Sequence, residues 1–172
     1  LQMDILVSGS MAYDRIMDFD GMFSDHILHD QLDNINVSFT VNSLTENFGG
    51  TSGNLAYSLS LLGEKPRILA TSGQDYHRYF EWLEKIGVAT ADIRIVEEEL
   101  TAGAYITSDT RSNQITGFNP GAMKQQSGFN FDSVEPKDCL AIVSTGNLGD
   151  TTVYTVDHEK RGTYSIFDPG QP

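Results

Sequence analysis

The stretch ENFGGTSGNLAYSLSLLG, residues 46–63, sets Gly49 and Gly50 directly before an apolar stripe of helical spacing, with Asn54 in the first turn. Glycines ahead of a helix N-terminus suit an anion, because the free N–H groups there point outward. Two phosphate devices can be tested by residue type. A Walker loop needs Gly-Lys-Ser/Thr after its glycine turn, so that the Lys reaches phosphate and the hydroxyl reaches Mg²⁺; here TSGN follows, without a Lys. A dinucleotide turn needs three spaced glycines after the first strand, and ILVSGSMAYD supplies only Gly9. What remains is a substrate-contact turn or a tight strand-to-helix connection.

Asp14 is the second candidate. It follows the first expected strand, at the end where open α/β sheets place ligands. A carboxylate there can accept hydrogen bonds from two vicinal hydroxyls of a sugar ring, or it can cap the next turn. Other groups carry less. His26 and His29 fall in the linker after the first strand, His77 and His158 on expected helix surfaces, and no repeated ligand spacing points to a metal. Cys139, the only cysteine, sits in the apolar run CLAIVS and reads as a small buried hydrophobe.

The elements that must position these residues follow from periodicity. DILVSG (4–9) reads as a buried first strand, followed by an irregular stretch. INVSFTVNSL (35–44) alternates Ile35, Val37, Phe39 and Val41 with polar residues, as a half-covered strand does. The helix after Gly50 carries Leu55, Leu59 and Leu62 on one stripe, Thr51 or Ser52 as cap and Gly63 as stop. PRILATSG (66–73) reads as a second buried strand. DYHRYFEWLEKIG (75–87) reads as a helix with Tyr79, Leu83 and Ile86 inward. TAGAYITSD and NQITGF flank TRS as a hairpin, and CLAIVSTG (139–146), a polar helix at 150–161 and YSIFDPG (164–170) complete the chain. The alternation implies an α/β fold, a mainly parallel sheet flanked by helices, interrupted by exposed strands at about 35–45 and 102–118 that could pair into one small projecting sheet. EEEL (97–100) reads as a solvated turn.

Composition narrows the function classes. The 172 residues carry a formal net charge of −13, which repels a phosphate backbone and argues against a nucleic-acid partner. There is no run of about 18 apolar residues, so no membrane partner is expected. The opening LQMDILVSGS lacks a basic segment ahead of an apolar one, and a cytoplasmic location is the expectation.

VSGSMAYD, FGGTSGNLAYSLSLLG, TAGAYITSD…NQITGFNPGAM and FDPGQ occur in the order found in the N-terminal part of pfkB (ribokinase-like) kinases. The resemblance covers essentially the whole chain, and within the family it looks most like bacterial adenosine kinases. It implies a ribokinase-like fold with a small β lid, residues 1–172 forming its N-terminal part and the C-terminal part being absent. It implies that Asp14 binds sugar hydroxyls, that Gly49 and Gly50 hinge the lid, and that Asn54 binds sugar from the helix start. Ser10 would line the same pocket, Phe118 would approach the base or sugar from the lid, and Gln171 would sit near the nucleoside. The implied reaction is phosphoryl transfer from ATP, with Mg²⁺, to a primary hydroxyl of a nucleoside such as adenosine or of a sugar. The family's catalytic base, anion hole and ATP pocket belong to a C-terminal Gly-Ala-Gly-Asp region that does not occur here, so no catalytic residue is expected and the chain reads as part of a longer enzyme.

Ala104 departs from relatives that carry an aromatic at that lid position, which keeps other nucleosides and sugars open. Arg15 is the one basic residue near Asp14 that could favour a sugar phosphate. A non-catalytic binding or dimerisation module, or a homodimer formed through the lid, is the remaining expectation.

Overall fold

The computed structural model describes residues 3–27 and 37–170. Its centre is a four-stranded sheet, β1 (Asp4–Ser8), β4 (Pro66–Leu69), β9 (Cys139–Val143) and β10 (Tyr164–Phe167), ordered β10-β9-β1-β4 and parallel throughout. The runs ILV, RIL and CLAIV are short and almost continuously apolar, as strands covered on both faces must be. Leu6, Val7, Ile68, Leu69, Ala141 and Val143 are buried.

Helices cover both faces. Ala56 of α1 (Thr51–Leu61) joins Tyr79 and Leu83 of α2 (His77–Lys85), Ile68 and Met11 in one core cluster. On the other face Tyr154 of α3 (Leu148–Arg161) packs with Leu6, Leu69, Phe131 and Val143. Cys139 is buried at the head of β9, and that burial pushes its thiol up. α3 is capped by Asn147, whose side chain accepts from the Asp150 N–H at 3.1 Å, and stops at left-handed Gly162.

A second four-stranded sheet projects from this core. Its strands are β2 (Ala12–Asp18), β3 (Ser43–Gly49), β7 (Ala102–Ser108) and β8 (Gln114–Asn119), ordered β3-β2-β7-β8. β2 pairs antiparallel with β3 and parallel with β7, and β7–β8 is the hairpin the sequence implies. The stretch after β1 is thus not irregular: β2 is the central strand that separates the two exposed segments expected to pair with each other.

The strand expected at 35–44 is displaced. Residues 37–42 form no strand, 35 and 36 lie outside the described residues, and pairing begins at Ser43. Phe39 of that alternating set serves a different purpose. Phe39 packs on Phe19 and Phe23, with ring centroids 4.6 and 5.5 Å apart, in a small aromatic cluster where β2 leaves the sheet.

Three further expectations change. The 66–73 strand is two strands, because β5 (Thr71–Gly73) leaves the main sheet to pair with β6 (Arg94–Val96). The leucine stripe of α1 is not its buried face: Ser52, Gly53 and Ala56 are buried, Leu55 and Leu59 half-buried, and Leu62 is 78% exposed. The helix approaches the core through its smallest residues, so no room remains for leucines between them. Finally, His158 is buried against the edge of Phe131, ring centroids 4.8 Å apart, rather than lying on the helix surface. No helix among the described residues is long and apolar enough to cross a membrane.

Candidate functional site

The two sheets meet where β3 runs into α1. Gly50, the residue before the helix, has φ +88°, a left-handed conformation that favours glycine, and a Cβ there would fall 2.5 Å from the Ser10 carbonyl oxygen. Neither Thr51 nor Ser52 caps the helix with its own side chain. The cap comes from a distant loop: Ser10 Oγ accepts from the Thr51 N–H at 2.9 Å, and its carbonyl accepts from the Ser52 N–H at 3.0 Å and the Ser52 hydroxyl at 2.7 Å. The Ser10 N–H donates to the Thr145 carbonyl at 2.9 Å. Ser10 therefore ties the β1–β2, β3–α1 and β9–α3 connections together at the carboxyl end of β1.

Asp14 lies on β2, not in a loop, and register settles its neighbours. It stands opposite Asn47 of β3 and Ala104 of β7, and Ala104 stands opposite Phe118 of β8. Directly paired residues share a face, so Asn47, Asp14, Ala104 and Phe118 form one row across all four lid strands. The Asp14 carboxylate lies against Gly49, where a Cβ would come within 2.1 Å of Oδ2. Partial burial raises its pKa above the ordinary carboxylate value, and among the described residues no charge or hydrogen bond offsets that desolvation. A half-buried carboxylate with free acceptor capacity is suited to a ligand that brings its own hydroxyl donors.

The other end of the row is apolar. Phe118 is 52% exposed, a ring on an open sheet face, and Ala104 leaves space between it and Asp14. Asn54 is exposed one turn into α1, its backbone N–H bonded to the Gly50 carbonyl at 3.0 Å. Gln171 lies outside the described residues.

Arg15 is excluded from this face. As the next residue on β2 it points the opposite way, pairing with Glu46 at 2.9 Å, donating to the Tyr105 hydroxyl at 3.2 Å and lying over the Tyr13 and Tyr105 rings. It is the only basic residue in the four lid strands, so their Asp14 face carries no cation for a sugar phosphate.

Sequence reasoning missed Asn47, whose amide shares the row with Asp14. The signal was the alternation of ENFG back from Gly49, which puts Asn47 and Gly49 on one face. Among the described residues no group of three or more His, Cys, Asp or Glu side chains converges as metal ligands would, and the site has no Lys-bearing phosphate loop. The residues of this site do not fit ATP or Mg²⁺.

Comparison with known proteins gives the arrangement a context. The pfkB family carbohydrate kinase signature matches residues 4–157. A nucleoside kinase of Methanocaldococcus jannaschii is 31% identical over 138 residues, 79% of this chain and 45% of its own length. One of Methanothermobacter thermautotrophicus is 28% identical over 155 residues, 86% of this chain and 49% of its own. The structure of Burkholderia thailandensis nucleoside kinase in complex with inosine aligns with a TM-score of 0.78 and 40% identity, covering 97% of this chain and 53% of that one. The ribokinase of Cryptococcus neoformans in complex with ADP, at 21% identity and a TM-score of 0.77, shares the fold. The fold is thus ribokinase-like, and the chain spans about half the length of the curated relatives it matches.

Proposed function

The chain belongs to the pfkB family of carbohydrate kinases, and from that premise we propose that the protein it forms part of phosphorylates the primary hydroxyl of a nucleoside, adenosine first among them, with ATP as donor. The observation that carries the reading is the row Asn47–Asp14–Ala104–Phe118, an amide and a carboxylate towards one end of a sheet face and an apolar ring at the other. A nucleoside has the same polarity: vicinal hydroxyls at one end and a flat base at the other.

In this reading ionised Asp14 accepts from both sugar hydroxyls, and Gly49 leaves the room it needs. Asn54 adds an amide from the helix start, Ser10 holds the hinge from below, Gly50 lets the lid swing, and Gln171 completes the sugar side. Phe118 contacts the base, and its stacking contributes on the order of 1–3 kcal/mol. ATP supplies the phosphoryl group, and the reaction belongs in the cytoplasm where ATP is kept. The chain's own residues orient the acceptor and keep water from it. The absence of a cation on the Asp14 face favours an unphosphorylated acceptor over a sugar phosphate.

We extend the reading to assembly. Leu44, Tyr105 and Ile115 are exposed on the lid face opposite Asp14, which supports a homodimer through that face, and sedimentation equilibrium measures it.

The function is tested by phosphoryl transfer from ATP and Mg²⁺ in the full-length protein, with adenosine, inosine, ribose and ribose 5-phosphate as acceptors. Nucleosides are expected to give the highest kcat/KM. Preference for ribose or its phosphate would overturn the reading.

A further inference from the structure

The hinge glycines do not stand alone. Tyr79 of α2 is completely buried, and its hydroxyl donates to the Gly49 carbonyl at 2.7 Å, with both groups out of solvent. Its ring is wedged edge-on to Tyr13 of β2, at 5.7 Å, and against Phe48 of β3, at 4.9 Å. The hydroxyl also presses on α1: a Cβ at Gly53 would lie 1.9 Å from it. One oxygen thus meets the last residue of the lid strand and the first turn of the hinge helix, from a helix that belongs to the core. Tyr13 makes a parallel attachment, donating to the Asp75 carbonyl at 2.9 Å.

We propose that Tyr79 is a positioning residue, whose hydroxyl fixes the Gly49–Gly50 peptide and through it the place of the Asp14 carboxylate. The proposal rests on the assignment of Asp14 to the acceptor sugar. Three constraints make the hydroxyl more than a filled hydrogen bond. β3 is an edge strand among the described residues, and none of them adds a strand that holds Gly49 from its outer side. Gly50 has no Cβ to restrict it. The Asp14 carboxylate rests against Gly49 itself, so a displacement of that peptide moves the wall behind the carboxylate. Burial raises the hydroxyl's pKa, with the nearby Asp14 charge adding to the shift, and Tyr79 remains a donor across the physiological range.

The helix glycine is the second half of the device. Gly53 would otherwise be an unfavourable choice in a helix compared with alanine, and its missing Cβ is what lets the Tyr79 oxygen reach Gly49. The two residues therefore act as one unit, and substituting either should give the same defect.

The test uses the full-length protein. Tyr79→Phe keeps the ring and removes the hydroxyl. The acceptor KM is expected to rise roughly fivefold to tenfold, the scale of one lost buried hydrogen bond, with the ATP KM within about twofold of wild type. Gly53→Ala is expected to reproduce that split. The double variant should be less impaired than the product of the two single effects, because the added methyl then meets no hydroxyl. Equal changes in both KM values, no change, or fully multiplicative effects would overturn the proposal.

Amide hydrogen exchange separates this idea from the Asp14 assignment, because it needs no substrate. In Tyr79→Phe, peptides covering 48–54 should exchange faster while those covering β1 and β9 stay unchanged. Uniform acceleration or none would reject the positioning role. Failure of the wild type to phosphorylate any nucleoside, with the exchange pattern as expected, would instead reject the acceptor assignment.

Discussion

The two four-stranded sheets are alike in size and opposite in construction. The central sheet is parallel, its inner strands are covered on both faces, and its contacts are almost wholly apolar. The lid sheet mixes parallel and antiparallel pairs, buries Tyr13 on one side near its root, and leaves the row with Asp14 open on the other. A strand covered on both faces has no position free for chemistry, whereas a sheet with one open face can carry a carboxylate at modest desolvation cost. Under the proposed reading the core sheet sets stability and the lid sheet sets specificity, and the Gly49–Gly50 turn joins the two.

That division predicts unequal responses to substitution. Leu6→Ala empties a fully buried site in the central strand and should cost about 2–5 kcal/mol of folding stability by chemical denaturation. A cost under about 1 kcal/mol would show that the central sheet is not the stabilising element.

At the hinge the effect should shift from stability to activity. Gly49→Ala places a methyl within 2.1 Å of the Asp14 carboxylate, so the carboxylate must leave its seat. The acceptor kcat/KM should fall about a hundredfold, the scale of an angstrom's misplacement. Phe118→Ala, at a half-exposed ring, should leave the melting temperature nearly unchanged. It should weaken nucleosides by roughly 1–3 kcal/mol while sparing ribose, and equal loss for both would remove Phe118 from the base.

The smallest effect carries a sign. The pKa of Asp14 is raised in the folded state, so between its unfolded and folded values the native chain binds the proton more tightly. Its contribution to stability is then most favourable at low pH and falls as pH rises through that window. If Asp14 accepts from the acceptor's hydroxyls, binding uses the ionised carboxylate and should run the other way, weakening as pH falls through the same range. Asp14→Asn should flatten both profiles and melt slightly above wild type at neutral pH. Parallel rather than opposite profiles would show that this carboxylate serves folding and not the ligand.

Elements with one dominant environment were legible from the sequence. β1, β9, α2 and the β7–β8 hairpin follow from apolar runs, a clean helical face and a turn between β-rich segments. β2 was not, because AYDRIMD places charges on both faces: Asp14 faces the open side, and Arg15 is neutralised by Glu46, a partner distant in sequence. Phe39 and its neighbours misled in the other direction, since alternation records burial of every second residue and not a ladder. In α1 the leucines drew attention from Ser52, Gly53 and Ala56, because close approach to the core is signalled by what side chains lack. The pairing of Asp14 with Gly49 in space depended on register, which a single strand does not reveal.

The most direct test of the acceptor assignment is a cycle between protein and ligand in the full-length protein. The kcat/KM for adenosine and for 2′-deoxyadenosine is measured with wild type and with Asp14→Ala. If Asp14 accepts from the vicinal hydroxyls, the deoxy substrate loses at least about tenfold against wild type, and that loss largely disappears in the variant, because the partner of the missing hydroxyl is already gone. Equal sensitivity to the missing hydroxyl in both proteins would contradict the account.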